Sequence, residues 1–226
     1  MVEIIPTVLT SNLEKAIWLI EQAEGKVERI QIDIIDGKFA DNKTIRPRDL
    51  DKIKTDLMID FHLMVDEPAD WIAECVSSGI ARNSLGFGSL RIIGHIEKMN
   101  NQIEFVDKVR EQEAHAGLAI DLGTPVTEID SRAFNKLDMA LVMSVQAGIG
   151  GQEFDQRALS KIGLLRDIRQ NKTVEFRICD DGGITTEFID DAHYVGADEI
   201  AIGRKVYKGN MKENIKRLQD MAHKLG

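Results

Sequence analysis

Short apolar runs alternate with longer stretches in which apolar residues recur at helical spacing, and the alternation continues from one end of the chain to the other. The short runs are 3–8, 29–34, 57–64, 90–93, 116–120, 139–145, 175–179 and 199–202. Most are nearly continuous in Ile, Val, Leu and Met. Strands covered on both faces need that composition, so the runs predict parallel strands. Among the longer stretches, 13–24, 155–170 and 211–225 predict helices with one buried face. Eight strand–helix units with no Pro- or Ser-rich linker predict a single (β/α)8 TIM barrel filling one domain, 1–226. An open doubly wound sheet would carry a glycine fingerprint after its first strand, and here the first strand runs into LTSNLEKA, which has no glycine. Periodicity is weakest over 79–94, where ARNSLGFGS predicts an irregular loop.

Composition narrows the class of partner. Hydrophobic residues make up 43% and charged residues 30% of the chain, the balance of a globular protein able to bury a core. No apolar run approaches the roughly 18 residues that span a bilayer, and MVEIIPTVL lacks the regions of a signal peptide. The expectation is a cytoplasmic protein that does not engage membranes. A net charge of −9 without a Lys/Arg stripe argues against nucleic acid. It leaves room for one phosphate group, which backbone N–H groups can hold. Cys75 and Cys179 are too few and too isolated for disulfides or a thiolate metal site, and read as buried apolar residues.

Barrel chemistry sits at the C-terminal ends of the strands. The polar residues there are Thr7, Gln31, Asp33, Asp36, His62, His95, Asp121, Ser144, Asp181 and Arg204. In IQIDIIDG, strand alternation puts Gln31 and Asp33 on one face and Ile32 and Ile34 on the other. His62 in DFHLMV and Asp181 in ICDDGGI would meet them at one mouth. Two carboxylates and an imidazole gathered there suit a divalent cation, or the two roles of proton donor and acceptor. Singly, each has a plainer explanation. A strand-end histidine is more often structural, Asp33 can cap a turn, and Asp36, Asp180 and Asp181 precede glycines as turn residues commonly do.

The glycine loops carry more weight together. SVQAGIGGQ, DGGI and IGR follow the sixth, seventh and eighth strands, and Gly148, Gly150, Gly151, Gly182, Gly183 and Gly203 leave backbone N–H groups free to wrap an anion. Glycine that merely permits tight turns explains one such loop better than three adjacent ones. Arg204 either adds charge to this cradle or points into solvent.

The ordered series IQIDIIDG, DFHLMV, GTPV, LVMSVQAGIGGQ, RICDDGGI and ADEIAIGRKVY resembles the ribulose-phosphate 3-epimerase family over nearly the whole chain. The resemblance implies a barrel of the ribulose-phosphate-binding type that interconverts D-ribulose 5-phosphate and D-xylulose 5-phosphate. It implies Asp33 and Asp181 as the acid/base pair on opposite faces of the sugar. The same two residues with His62 would ligate a divalent metal, zinc, iron or manganese. It further implies Thr7, Met64 and Met143 at the substrate, the six glycines at its phosphate, and assembly as a homo-oligomer.

Several positions depart from the family pattern. Gln31 stands where the family carries a histidine ligand, so the fourth ligand is either lost or replaced by an amide oxygen. A neutral amide is a poorer zinc ligand than imidazole, and two carboxylates with one histidine favour harder cations. Ile35 replaces a methionine, Gln146-Ala147 replaces Asn-Pro, Ile149 replaces Phe, and Arg204 replaces a small residue. Three readings stay open: an epimerase of ribulose 5-phosphate, an epimerase of another ketose phosphate such as a six-carbon ketose 6-phosphate, and a barrel that binds a sugar phosphate without turnover.

Overall fold

In the computed structural model, which describes residues 2–83 and 89–221, eight strands pair in sequence order into a closed parallel barrel. They are β1 (Glu3–Val8), β2 (Arg29–Ile35), β3 (Met58–Met64), β4 (Leu90–His95), β5 (His115–Ile120), β6 (Met139–Met143), β7 (Arg177–Asp181) and β8 (Glu199–Ile202). β8 pairs with β1 through Glu3 and Glu199, which leaves no open edge. The helices are α1 (Leu13–Ala23), α2 (Ile72–Ser77), α3 (Gly79–Asn83), α4 (Gln102–Glu111), α5 (Arg157–Lys172), α6 (Ile189–Val195), α7 (Arg204–Tyr207) and α8 (Met211–Met221).

The alternation of strand and helix is looser than the sequence implies. Between β2 and β3 only the 3-10 turn Pro47–Leu50 occurs, and between β5 and β6 only the turns Val126–Glu128 and Ala133–Asn135. Proline at the first helical position starts the former turn well, but neither connection builds a longer amphipathic face. The loop expected over 79–94 is corrected in part. Gly79–Asn83 is helical, the strand begins at Leu90, and 84–88 lie outside the described residues. The end of the helix expected to reach 225 also lies outside them. Among the described residues no helix is long and apolar enough to cross a membrane.

Alternation along the strands sorts side chains into two environments. Ile30, Ile32, Ile34, Phe61, Leu63, Ile92, Leu118, Val142, Ile178 and Ile200 face the helices in the larger core. Met64, Ile93, Ala119, Leu141, Met143, Cys179 and Ala201 point inward and form a second, smaller cluster inside the barrel. Cys75 and Cys179 are both free and buried.

The inward layer at the N-terminal end is ionic, where barrels usually place bulky branched residues. Asp60 lies between the guanidinium groups of Arg29 and Arg91. Arg91 reaches across to Glu199 at 2.6 Å, Glu199 also pairs with Arg177, and Arg177 meets Glu3 at 2.8 Å. The set closes the barrel beneath the inward residues of the next layer, among them Gln31, His62 and Ala201, which follow Arg29, Asp60 and Glu199 by two positions on the same strands. Removing Arg91 leaves two buried carboxylates with fewer compensating charges. Arg91→Met is therefore expected to cost about 3–5 kcal/mol in urea unfolding. A loss below about 1 kcal/mol, the scale of exposed pairs, would contradict this view of the layer.

Candidate active site

The inward-facing residues at the C-terminal ends of β2, β3 and β7 converge at one point. Register pairs Asp33 with His62, and Asp181 ends β7 across the barrel. Gln31 Nε2 donates to Asp33 Oδ1 at 2.8 Å and to Asp181 Oδ2 at 2.7 Å, so a single amide group joins carboxylates from opposite walls. His62 Nδ1 lies 3.1 Å from Asp33 Oδ1 and 3.4 Å from Asp181 Oδ2. Donor atoms of Asp33, His62 and Asp181 all fall within 4.8 Å of one another, close enough to share one cation. Gln31 is 1% exposed and sits below this trio. With its nitrogen toward the carboxylates it serves as a hydrogen-bond donor, and it would have to present Oε1 to become a ligand. The O/N orientation of such an amide follows from its neighbours, and two acceptors favour the nitrogen here.

The electrostatics follow from burial and crowding. Burial raises the pKa of Asp33, and the charge on Asp181 raises it further, while hydrogen bonds from His62 and Gln31 oppose the shift. Burial works against a charged His62, but hydrogen bonds and charge from Asp181 and Asp33 outweigh it and lift its pKa to about 9. The cluster thus holds an imidazolium beside its carboxylates at neutral pH.

Behind His62 runs a second line of contacts. His62 Nε2 meets His95 Nε2 at 2.9 Å, and His95 Nδ1 meets Glu97 Oε2 at 3.0 Å. The other oxygen of Glu97 accepts from the backbone N–H of Asp121 at 2.6 Å. Phe39 packs on the His95 ring with centroids 4.7 Å apart. Burial and the neighbouring His62 charge lower the pKa of His95, against its hydrogen bond to Glu97.

Above the cluster opens a cavity of about 740 Å³. Thr7, Asp33, His62, Met64, Met143, Gly148, Gly150, Gly151, Asp181, Gly182, Gly183, Gly203 and Arg204 all line it. Gly183 needs its lack of side chain: φ is +60°, and a Cβ would sit 2.6 Å from the backbone N of Phe154. Gly151 (φ +92°) lets Arg204 lie across it, Nη2 being 2.6 Å from where a Cβ would be. Arg204 is exposed, yet its guanidinium lies against the glycine loop.

Other lining residues carry no family-independent signal in the sequence. Lys15, Lys43, Lys205 and Lys208 join Arg204 at the exposed rim, while the lining acids, Asp33 and Asp181, are buried at the floor. On a chain of net charge −9 this separation favours a ligand with its anionic end outermost. Asp36 acts in the β2 loop, accepting N–H groups of Lys38, Phe39 and Asp66 at 2.8, 3.0 and 2.9 Å.

Adjacent Asp180 faces the opposite way from Asp181, toward the helices. Its Oδ1 accepts from Ser144 Oγ at 2.7 Å, and its buried Oδ2 has no partner among the described residues. Burial, and then the Asp181 charge, push its pKa up to about 8 against the Ser144 hydrogen bond. The unfolded chain releases this proton near about pH 4, so folding takes up a proton between there and pH 8, and stability falls as pH rises through that window. Asp180→Asn removes the ionisation. At pH 8 the variant is expected to melt several degrees above the parent protein, with the two converging near pH 4 in a thermal melt; a constant difference at all pH values would contradict a protonated Asp180.

Acid groups gathered at the C-terminal mouth of a closed parallel barrel place the chain among the (β/α)8-barrel enzymes. The family model described as the Ribulose-phosphate 3 epimerase family matches residues 3–207, and the chain belongs to that family. It is similar to the chloroplastic ribulose-5-phosphate-3-epimerase of Arabidopsis thaliana, 31% identical over 205 residues, which cover 89% of this chain and 70% of that protein. It is also similar to the ribulose-phosphate 3-epimerase of Bacillus subtilis (strain 168), 29% identical over 211 residues, with 92% and 93% covered. Among solved structures, 3-keto-L-gulonate-6-phosphate decarboxylase from Vibrio cholerae O1 biovar El Tor str. N16961 has a TM-score of 0.67 at 13% identity, covering 98% of this chain and 97% of that one. At that identity the likeness concerns the fold alone.

Proposed function

We propose that this chain is a ketose-phosphate 3-epimerase, an isomerase, with D-ribulose 5-phosphate and D-xylulose 5-phosphate as the leading pair and a six-carbon ketose 6-phosphate next. The observation that carries the reading is the approach of Asp33 and Asp181 from opposite walls of the barrel, within 4.8 Å at their nearest ligand atoms, on the floor of a glycine-walled cavity. Epimerisation at C3 needs one group to remove a proton from one face and another to deliver a proton to the other face.

In this scheme the sugar lies between the carboxylates with its phosphate toward the rim. Backbone N–H groups of Gly148, Gly150, Gly151, Gly182, Gly183 and Gly203 cradle the phosphate, and Arg204 adds charge to it. Thr7 contacts the sugar, and Met64 and Met143 pack along it. An ionised carboxylate takes the C3 proton while the C–H electron pair moves into an enediolate with charge on the C2 oxygen. The opposite carboxyl then gives its proton to C3. Asp33, with its pKa raised by burial, is suited to hold the proton that is delivered. Preorganised charge beside the C2 oxygen is worth most as the enediolate forms.

The donor set fits a divalent cation: two carboxylates and one imidazole share a point, and the Gln31 amide can turn its oxygen toward it. Zinc, iron and manganese remain the candidates. Bound there, such a cation would polarise the C2 carbonyl and stabilise the enediolate. Gln31→His would replace the amide clamp with a softer, stronger zinc ligand. The variant is expected to retain Zn²⁺ against a chelator better than the parent; equal or weaker retention would remove Gln31 from the ligand set.

The direct test is exchange of the C3 hydrogen of ribulose 5-phosphate with deuterated solvent, read by NMR across a series of divalent metals. Asp33→Asn and Asp181→Asn should each slow exchange by roughly 10²- to 10⁴-fold. Undiminished exchange in both variants would refute the two-carboxylate scheme. Binding of the sugar phosphate without exchange in the parent protein, under every metal tried, would replace the epimerase with a binding protein.

A further inference from the structure

We propose that His95 and Glu97 are positioning residues that fix which nitrogen of His62 faces the two aspartates, and so set the cation affinity of the site. The proposal rests on reading His62 as a cation ligand, and it extends that reading to groups outside the cavity.

Glu97 sets the polarity of the chain. Its Oε1 is engaged by the backbone N–H of Asp121 at 2.6 Å, so the carboxylate is held in place by a donor that cannot rotate away. Its Oε2, 3.0 Å from His95 Nδ1, accepts, which puts a proton on that nitrogen. His95 Nε2 then carries a lone pair. It lies 2.9 Å from His62 Nε2, and two ring nitrogens at that distance need one proton between them, which must belong to His62. With Nε2 of His62 committed to donating, Nδ1 is the atom left to face Asp33 and Asp181. Ligating histidines commonly gain orientation and basicity by donating their other ring N–H in this way. Here the acceptor is a second imidazole, itself oriented by a carboxylate. His62 and His95 are fully buried, and Phe39 covers His95, so water does not compete for these bonds.

The substitution Glu97→Gln reverses the chain. Asp121 N–H still requires an oxygen acceptor, so the amide oxygen stays there and the NH2 group turns to His95. His95 Nδ1 must then accept, its proton moves to Nε2, and the two Nε2 atoms become competing donors unless His62 gives up its Nε2 proton and keeps the one on Nδ1. That nitrogen would no longer offer a lone pair to a cation.

Two measurements without substrate test this. Long-range ¹H–¹⁵N NMR of the imidazoles in the apo protein should show His95 protonated on Nδ1 in the parent and on Nε2 in Glu97→Gln. Competition with a chelator should show Zn²⁺ affinity falling by roughly 10- to 100-fold in Glu97→Gln, the usual effect of losing such an outer partner. A second pair guards against misfolding. His95→Gln keeps an oxygen toward His62 and an N–H toward Glu97, so it should hold Zn²⁺ more tightly than His95→Leu. An unchanged His95 tautomer in Glu97→Gln, or equal Zn²⁺ affinity in the two His95 variants, would overturn the proposal. A parent protein that took up no Zn²⁺ would overturn it as well, by removing the ligand role of His62. Absent C3 exchange with Zn²⁺ uptake and tautomer reversal intact would instead remove the epimerase reading and leave the positioning role standing.

Discussion

Two carboxylates brought together in a buried place repel one another, and much of the site compensates for that repulsion. The Gln31 amide gives one N–H to each, and the His62 imidazolium lies within 3.4 Å of both. A lone buried carboxylate would usually protonate and become inert as a base. At Asp33 the hydrogen bonds from His62 and Gln31 lower the energy of the ionised form while burial raises it, and the balance leaves its pKa above the ordinary carboxylate value. The same balance suits a cation, which would do what Gln31 and His62 do together but with greater charge.

That compensation reaches outward through the strands. His62 is held from behind by His95, His95 by Glu97, and Glu97 by the backbone at Asp121. The side chain of Asp121 in turn accepts from Ala147 N at 2.9 Å, at the entry to the glycine loop. A path of short contacts therefore joins the imidazole between the two aspartates to the segment proposed to hold the phosphate. On the opposite side of β7, Asp180 and Ser144 tie the ends of β6 and β7 together just ahead of Gly182. The groups of the candidate site are fixed by polar contacts, and the strands that carry them pack their outer faces against the helices through apolar residues.

Much of this was legible in the sequence because strand alternation is a simple rule. IQIDIIDG alone places Gln31 and Asp33 together, and the eight apolar runs give the barrel. Strand ends were less legible. The seventh apolar run ends at Cys179, and the aspartates after it are poor strand formers. Pairing with β6 and β8 nevertheless carries it through Asp180 and Asp181. The same register ends β6 at Met143, where Val145 has already joined the loop. His95 stood among the strand-end polar residues, but nothing along one chain shows that its ring meets that of His62 across two strands. The rim lysines were equally hidden, since Lys15, Lys43 and Lys208 come from separate segments that only closure of the barrel assembles. Asp60 and Arg91 are single charged residues inside otherwise largely apolar runs, and Glu199, which pairs with Arg91, lies strands away.

The ionic layer at the N-terminal end has a geometric outcome for traffic through the molecule. A second hollow of about 510 Å³ lies below it, lined by Arg29, Arg91, Arg177 and Glu199, and these paired charges separate it from the upper cavity. Among the described residues the two hollows share no lining residue, so the candidate site faces the lysine rim. A ligand seated with its anionic end at the lysine rim would enter with its other end first and leave anionic end first, without turning round.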